Sequence, residues 1–252
     1  MDLVRPQSWL LCASWRTGST NLGDIVRRTL GVPVDREPLW EWNSGRERPI
    51  GERQEESLAA IQAAVDGKAS GSDGRMAAKL MWRDVVLAAS SVGWRRENIR
   101  GFLESLFPQP RYVLVSRQDK IRQAVSLWRA RETQVLHGEV NGRVHRGSRP
   151  AREARYSFAG ISAALRDVRI ADAEWRSYFA KYSLEHLELS YEEICRDWSR
   201  SAQRAVEWWQ GRAAKGGFQS PRFVRLADEE TERWVRRYQR DYRQRSGEAD
   251  PS

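Results

Sequence analysis

The chain has 252 residues, with 43 lysines and arginines against 34 acidic residues and a formal net charge of +9. Apolar residues make up 40% and charged residues 31%, a composition typical of a globular protein that excludes a disordered one. The apolar run near the start, Trp9–Ala13, is too short to cross a bilayer, and residues 1–6 lack signal-peptide features. We therefore expect a cytoplasmic protein without stable membrane association. Cys12 and Cys195 form no ligand pattern with the three histidines, which disfavours both a disulfide scaffold and a metal site.

The first half of the chain begins with a short apolar segment at residues 8–14, which predicts a buried parallel strand. A helix follows the small-residue loop at 16–20 and is stopped by Gly31 and Pro33. Next come a turn-rich aromatic segment at 35–50, a helix at about 52–65 and a flexible loop at 67–74. A second strand is predicted at 77–82, with Lys79 near its end.

The second half contains the clearest strand, at residues 111–117, followed by a helix with Ile121, Val125 and Trp128 on one face. Residues 138–150 are basic and predict a mobile loop. The remaining predicted elements are helices at 151–168 and 170–182, a strand at 184–190, and helices at 192–213 and 228–244. Strands that alternate with helices predict an α/β fold, with a central parallel sheet flanked by helices. We expect one domain over residues 1–246 and a frayed tail at 247–252.

The loop after the first strand has the composition of an anion site. It contains Arg16, Thr17, Gly18, Ser19 and Thr20. Its N–H groups, its hydroxyls and the dipole of the following helix favour a negatively charged ligand. It lacks the lysine of a nucleoside triphosphatase P-loop. An ordinary helix start capped by Ser19 or Thr20 is the alternative interpretation.

A second pair of anion-binding side chains follows the third strand. Arg117 stands at the end of that strand, and Ser126 lies nine residues further on. Ligands of open parallel sheets bind at the carboxyl ends of the strands, where both groups are expected. Two such clusters on one edge suit a ligand with two separate phosphates, which indicates adenosine 3′,5′-bisphosphate chemistry.

Five blocks of this sequence, in order, resemble the bacterial trehalose 2-sulfotransferase family. They are residues 9–20 (WLLCASWRTGST), 79–82 (KLMW), 123–130 (QAVSLWRA) with Thr133, 174–179 (EWRSYF), and 225–228 (RLAD) with 232–238 (ERWVRRY). The resemblance implies a P-loop-like sulfotransferase fold. It also implies transfer of a sulfuryl group from 3′-phosphoadenosine-5′-phosphosulfate (PAPS) to a hydroxyl, without a metal ion.

The resemblance implies roles for the two anion clusters. Residues 16–20 would hold the 5′-phosphosulfate end of the donor, and Arg117 with Ser126 the 3′-phosphate. Lys79 would contact the bridging oxygen of the leaving group, or else be a solvated lysine at a strand end. Arg225 would be a further 3′-phosphate ligand, or else an ordinary surface arginine.

The general base implied by the family is a glutamate shortly after the first helix. Glu37 matches this position best if one residue is shifted, and Glu41 competes with it. Trp40 and Trp42 flank Glu41 and are candidates to stack on a sugar or aryl acceptor. We expect Glu37 to be the base and Trp40, Glu41 and Trp42 to contact the acceptor.

Other assignments remain open at this stage. The acceptor is a small molecule with a hydroxyl group: a carbohydrate such as trehalose, a glycolipid or a natural product. A small-molecule kinase with an unusual phosphate loop and a basic nucleic-acid-binding protein are alternative functions, and the resemblance implies a homodimer. His137, His145 and His186 are expected in a loop, a loop and a strand, and none is predicted to be catalytic.

Overall fold

A computed structural model describes residues 8–46, 54–71, 75–146, 153–214, 217–224 and 226–246. Arg225 and the predicted tail at 247–252 lie outside the described residues. Among those described, no helix combines the length and the apolar character needed to span a membrane.

The first half of the chain contains two strands and five helices among its described residues. These are β1 (Trp9–Ala13), α1 (Ser19–Leu30), α2 (Pro38–Glu41) with a π-helical turn (Trp42–Arg46), α3 (Gln54–Ala69), β2 (Ala77–Met81), α4 (Trp82–Ser91), and α5 (Ile99–Leu106) after a 3₁₀ turn (Arg96–Asn98).

The second half alternates in the same way and ends in a long helix. Its elements are β3 (Arg111–Ser116), α6 (Lys120–Thr133), β4 (Val135–Glu139), β5 (Val144–Arg146), α7 (Phe158–Lys181), β6 (His186–Ser190), α8 (Tyr191–Arg196), α9 (Trp198–Gln210), β7 (Phe223–Val224) and α10 (Glu229–Ser246).

The central sheet is parallel, with the strand order β2-β1-β3-β6, so the predicted fold class is confirmed. Every residue of β1 is buried because both faces of the sheet are covered, as its unbroken apolar sequence predicts. Leu10 and Cys12 pack with α3, α4, α5 and α7 on one face. Trp9, Leu11 and Ala13 pack with α1 and α9 on the other. This sandwich fixes the carboxyl ends of β1, β2 and β3 side by side.

A second, three-stranded antiparallel sheet has the order β5-β4-β7, and we call it the cover sheet. The prediction of a loop at 138–150 is therefore wrong for its described part. The hairpin turns at Asn141 and Gly142, where Gly142 takes a φ of 85°. The Asn141 amide donates to Glu139 and its oxygen accepts from the Arg143 N–H. An Asn-Gly turn between short strands is a hairpin signal that the basic composition of the segment hides.

Several helix boundaries also differ from the predictions. The two helices expected at 151–168 and 170–182 form one helix, α7, because its buried residues continue without interruption from Ile161 to Phe179. The helix expected at 192–213 is divided at Asp197, whose carboxylate caps α9 by accepting from the Arg200 N–H. Trp82 begins α4 rather than ending β2. The chain therefore turns into a helix directly at the sheet edge.

Candidate functional site

The loop after β1 reaches the sheet edge and leads into the N-terminus of α1. Gly18 is the N-cap residue of α1, with a φ of 79°, and no side chain caps the helix. The alternative with Ser19 or Thr20 as the cap is therefore wrong. A Cβ at residue 18 would approach the Tyr191 ring to 3.1 Å, so both the backbone conformation and the space favour glycine. The hydroxyl of Thr17 is buried and donates to the Ser14 carbonyl at 3.0 Å, which holds the loop in shape.

Gln123 of α6 also supports this loop. Its side-chain amide donates to Ser14 Oγ at 2.9 Å and to the Trp15 carbonyl at 2.6 Å, and the residue is fully buried. A buried amide with two partners is strongly directional, so Gln123 fixes the loop relative to α6. The helix that carries Ser126 is thus joined to the loop that carries Arg16.

Lys79 lies in the middle of β2, opposite Leu11 of β1, and its side chain is only 2% exposed. The expected position at a strand end and the alternative of a solvated lysine are therefore both wrong. Its ammonium donates to Thr20 Oγ1 at 2.8 Å and pairs with Glu37 Oε1 at 2.6 Å. One buried cation thus touches both the anion loop and the candidate base.

The backbone explains why Glu37 reaches Lys79 and Glu41 does not. The Lys79 N–H donates to the Arg36 carbonyl at 2.7 Å, which holds the segment after α1 against β2. One turn later, Glu41 pairs with Lys68 of α3 at 3.0 Å. The structure therefore brings Glu37, and not Glu41, to the sheet edge.

The two candidate tryptophans have different surroundings. Trp40 is 44% exposed. Trp42 is 2% exposed, and its indole N–H donates to Ser91 Oγ at 3.0 Å. Trp42 therefore belongs to the core and has no ring face for a sugar, so the structure does not bring it to the site.

Asp84, in the first turn of α4, is a site residue that sequence reasoning missed. It is 8% exposed, and burial together with the nearby Glu37 raises the pKa of its carboxyl to about 6. Asn43 donates to its main-chain carbonyl at 2.9 Å. The available signal was its place five residues after Lys79, where a strand hands over directly to a helix.

Arg117 follows β3 directly and is 6% exposed. Its Nη1 donates to the Arg16 carbonyl at 3.3 Å, and its guanidinium lies 4.2 Å from the centre of the Tyr191 ring. Arg16 takes a φ of 66°, unusual for a residue other than glycine. Its Nε donates to Ser126 Oγ at 3.0 Å. The two anion clusters predicted as separate are therefore one continuous group joined through Arg16.

The electrostatics of this group are strongly positive. Burial and the neighbouring Arg117 lower the pKa of Arg16 to about 10, which leaves it protonated at neutral pH. Lys79 and Arg117 are buried, and Arg16 between them is half-buried. An arrangement of three such cations around a helix N-terminus suits a ligand with several negative charges. A cavity of about 520 Å³ opens beside Arg117, between the ends of β3 and β6 and the side of α7.

The cover sheet lies over this group. Arg16 Nη1 donates to the Leu136 carbonyl of β4 at 2.5 Å, and Asn21 of α1 donates to the Phe223 carbonyl of β7 at 3.4 Å. His137, expected in a loop, therefore lies in a strand, and its ring packs 5.3 Å from that of Phe223. The signal that could have placed it was the Asn-Gly turn that follows.

In the part of the chain that the structure describes, no group of three or more His, Cys, Asp or Glu side chains is arranged to hold a metal ion.

Comparison with known proteins gives two whole-length relatives and a family. The family model described as Stf0 sulphotransferase matches residues 8–241. A trehalose 2-sulfotransferase of Mycolicibacterium smegmatis is 26% identical over 94% of this chain and 96% of its own length. That of Mycobacterium tuberculosis is 26% identical over 93% and 94%. A solved structure of retinol dehydratase with androsterone and the inactive cofactor PAP is 13% identical, covers 98% of this chain and 84% of its own, and has a TM-score of 0.41.

Proposed function

Because the chain belongs to the Stf0 sulphotransferase family, and is therefore a sulfotransferase, we propose that its donor is PAPS and its acceptor a carbohydrate hydroxyl. The relatives named trehalose 2-sulfotransferase make trehalose the first acceptor to test. Family membership favours this function over the kinase and nucleic-acid-binding alternatives. Glu37 is the proposed general base and Lys79 the residue that stabilises the leaving group.

The donor assignment is supported by the chemistry of the continuous cationic group. When bound, PAPS supplies a sulfuryl group on a 5′-phosphate, with a second phosphate on the ribose. Arg117, Arg16 and Ser126 offer a charge-assisted site for one phosphate. Thr20, Lys79 and the N-terminus of α1 offer a neighbouring site for the other. Because Arg16 belongs to both sides, we propose that it contacts the donor between its two anionic ends.

The observation that carries the proposal is the position of Lys79 between Thr20 and Glu37. An ammonium has three N–H groups, so two are used here and the third can be directed to the donor. In the proposed reaction the acceptor oxygen bonds to sulfur and the bond from sulfur to the bridging oxygen breaks. The electron pair of that bond stays on the phosphate oxygen, where Lys79 stabilises the charge. The hydroxyl proton passes to Glu37.

Glu37 can accept this proton while it is paired with Lys79. A carboxylate offers about four lone-pair sites, and the ammonium uses one of them. Positioning and charge neutralisation supply most of the catalysis in such loose, in-line transfers, by analogy with phosphoryl transfer. A single lysine that orders both partners suits this requirement.

The acceptor side supports a polyhydroxylic substrate. Glu37 pairs with Lys79, its charge acts on the carboxyl of Asp84, and Asn43 donates to the Asp84 carbonyl, so two carboxyls and an amide lie close together. The exposed Trp40 follows Glu37 closely in the chain. Carboxylates and amides bind sugar hydroxyls, and an exposed indole packs on a sugar face. The identity of the sugar follows only from the names of the relatives.

Calorimetric titration of the native protein without magnesium tests the donor. We expect adenosine 3′,5′-bisphosphate to bind in the micromolar range and at least tenfold more tightly than ADP or AMP. Equal binding of all three, or none, would overturn the donor assignment. Transfer of labelled sulfate from PAPS to trehalose, measured against phenol as a monohydroxylic acceptor, tests the acceptor. Preference for phenol would overturn the carbohydrate assignment and leave the donor intact.

A further inference from the structure

His137 is a half-buried titratable residue that the proposed reaction does not use. It follows Leu136, whose carbonyl accepts the hydrogen bond from Arg16. On the neighbouring strands it pairs with His145 of β5 and packs against Phe223 of β7. The side-chain amide of Asn21 in α1 donates a hydrogen bond to the main-chain carbonyl of Phe223. The imidazole therefore lies on the inner face of the cover sheet, beside the residues proposed to bind the donor.

The charges that face His137 come from three elements. Lys79 of β2 and Arg16 of the loop after β1 act on it directly, and His145 acts from β5. The only acid on its own strand, Glu139, is engaged by His145 and Asn141, while Phe223 and Asn21 carry no charge. Burial and the positive charges of Lys79 and Arg16 lower the pKa of His137 to about 3, so the free protein holds this imidazole neutral.

Donor binding reverses the sign of the charge that surrounds His137. A phosphosulfate that lies between Lys79 and Arg16 compensates the two cations and adds negative charge of its own next to the imidazole. An opposite charge within about 4–6 Å raises the pKa of a cationic acid by roughly 1–3 units, and the 5′-phosphate of the donor is such a charge. The proton-binding equilibrium of His137 is therefore coupled to the occupancy of the donor site.

We propose that His137 is a further donor-binding residue, which takes up a proton from solvent as the donor binds and then donates a hydrogen bond to its phosphosulfate end. This inference rests on the proposed donor. It gives the cover sheet a role in ligand binding. Before the donor binds, a neutral imidazole adds no further positive charge beside Lys79 and Arg16. In the occupied site, the protonated imidazole adds a cation where the ligand needs one.

The test is the number of protons taken up per adenosine 3′,5′-bisphosphate bound. It is measured by calorimetry at pH 5.5 in buffers of different ionisation enthalpy, for the native chain and for His137→Gln. Glutamine retains a hydrogen-bonding side chain and cannot titrate. His145→Gln and His186→Gln are matched controls, because these are the other two histidines of the sequence. Protonation of the free ligand is common to every variant and cancels in the difference, which therefore reports the proton taken up by His137 together with the phosphate it contacts.

We expect the native protein and both controls to take up at least about half a proton more than His137→Gln. We also expect native affinity to fall at least threefold more than that of His137→Gln between pH 5 and pH 7. Equal proton counts would overturn the proposal, as would loss of the difference in His145→Gln. At pH 8, His137→Gln should bind within threefold of native. Loss of binding there, repeated in His137→Asn, would overturn the proposal by assigning His137 to the fold.

Failure of this inference is distinguishable from failure of the proposed donor. Selective bisphosphate binding without a proton difference overturns only the role of His137. Absence of selective binding by the native protein overturns the donor and, with it, the role of His137.

Discussion

The central sheet and the cover sheet build opposite sides of one site by different means. In the central sheet, β1 and β2 are buried along their whole length and β3 in all but its first residue. These strands present Lys79, Arg117 and the loop at 16–20 from a packed frame. The cover sheet has strands of two to five residues, and its Leu136, Val144 and Val224 are each more than a third exposed.

The links between the two regions are mostly polar and few. Besides the contacts of Arg16 and Asn21, Arg222 pairs with Asp24 of α1 at 3.3 Å, and Arg28 donates to the Ser220 carbonyl at 2.6 Å. Segments held by few buried apolar contacts open at lower free energy than a packed core. Under the proposed function, the frame carries the residues of the reaction and the cover tunes ligand binding, so changes in the two regions should differ in kind and in size.

The largest effect is expected from Lys79→Met in the frame. Loss of the cation that would stabilise the leaving group should lower the rate of sulfuryl transfer by about 10²–10³-fold, as for removal of a preorganised donor. Lys68→Met is the matched control, since Lys68 pairs with Glu41 away from the sheet edge, and it should change the rate less than twofold. A Lys79→Met rate within tenfold of native would contradict the assigned role.

Glu37→Gln should lower turnover by about 10²-fold or more, the usual effect of losing a general base. Bisphosphate affinity, measured by calorimetry, should stay within about threefold of native. Glu41→Gln is the control and should leave turnover nearly unchanged, because its carboxylate is directed to α3. The reverse pattern would place the base at Glu41.

Arg117→Ala should weaken bisphosphate binding at least tenfold, since a charge-assisted hydrogen bond contributes about 1.5–3 kcal/mol. The control is Arg95→Ala. The Arg95 side chain is exposed beside Glu97, so its removal should change the affinity little. Unchanged affinity in Arg117→Ala would remove this residue from the phosphate site.

Asp84→Asn should stabilise the protein at neutral pH. The pKa of Asp84 is raised from 3.8 to about 6, so the folded state binds a proton more readily than the unfolded state. The stability that follows from this is present below pH 3.8 and is lost as the pH rises through 6, by up to about 3 kcal/mol. Thermal unfolding should therefore show a Tm a few degrees above native at pH 7.5 and no gain at pH 4. A lower Tm at pH 7.5 would contradict this account.

The smallest effect is expected in the cover sheet, from Gly138→Ala. The added Cβ would lie 3.0 Å from Leu226 Cδ2 and 3.4 Å from Val224 Cγ2, so β7 must shift by a few tenths of an ångström. We expect bisphosphate affinity to fall about threefold, or roughly 0.6 kcal/mol, with Tm nearly unchanged. Gly67→Ala, where nothing lies within 4 Å, is the matched control. A large fall in Tm for Gly138→Ala would show that the cover is part of the folding core.

The sequence by itself determined the parallel sheet and placed the loop at 16–20 and Arg117 at the carboxyl ends of its strands. These features are local, because apolar runs mark buried strands and the residues after parallel strands share one edge. Through the family resemblance it also favoured Glu37 over Glu41 as the candidate base, without a physical reason for the choice.

Only the tertiary structure decided which side chains from distant segments meet. A hydrogen bond from the Lys79 N–H to the Arg36 carbonyl holds Glu37 beside β2. Glu41, one turn later in α2, pairs instead with Lys68 of α3. Arg16 joins two clusters 110 residues apart, and a hairpin read as a loop carries His137 over them. The spacing of apolar residues along a strand or helix indicates which of its faces is buried. The contacts that assemble a site depend on how elements pack, which no local pattern encodes.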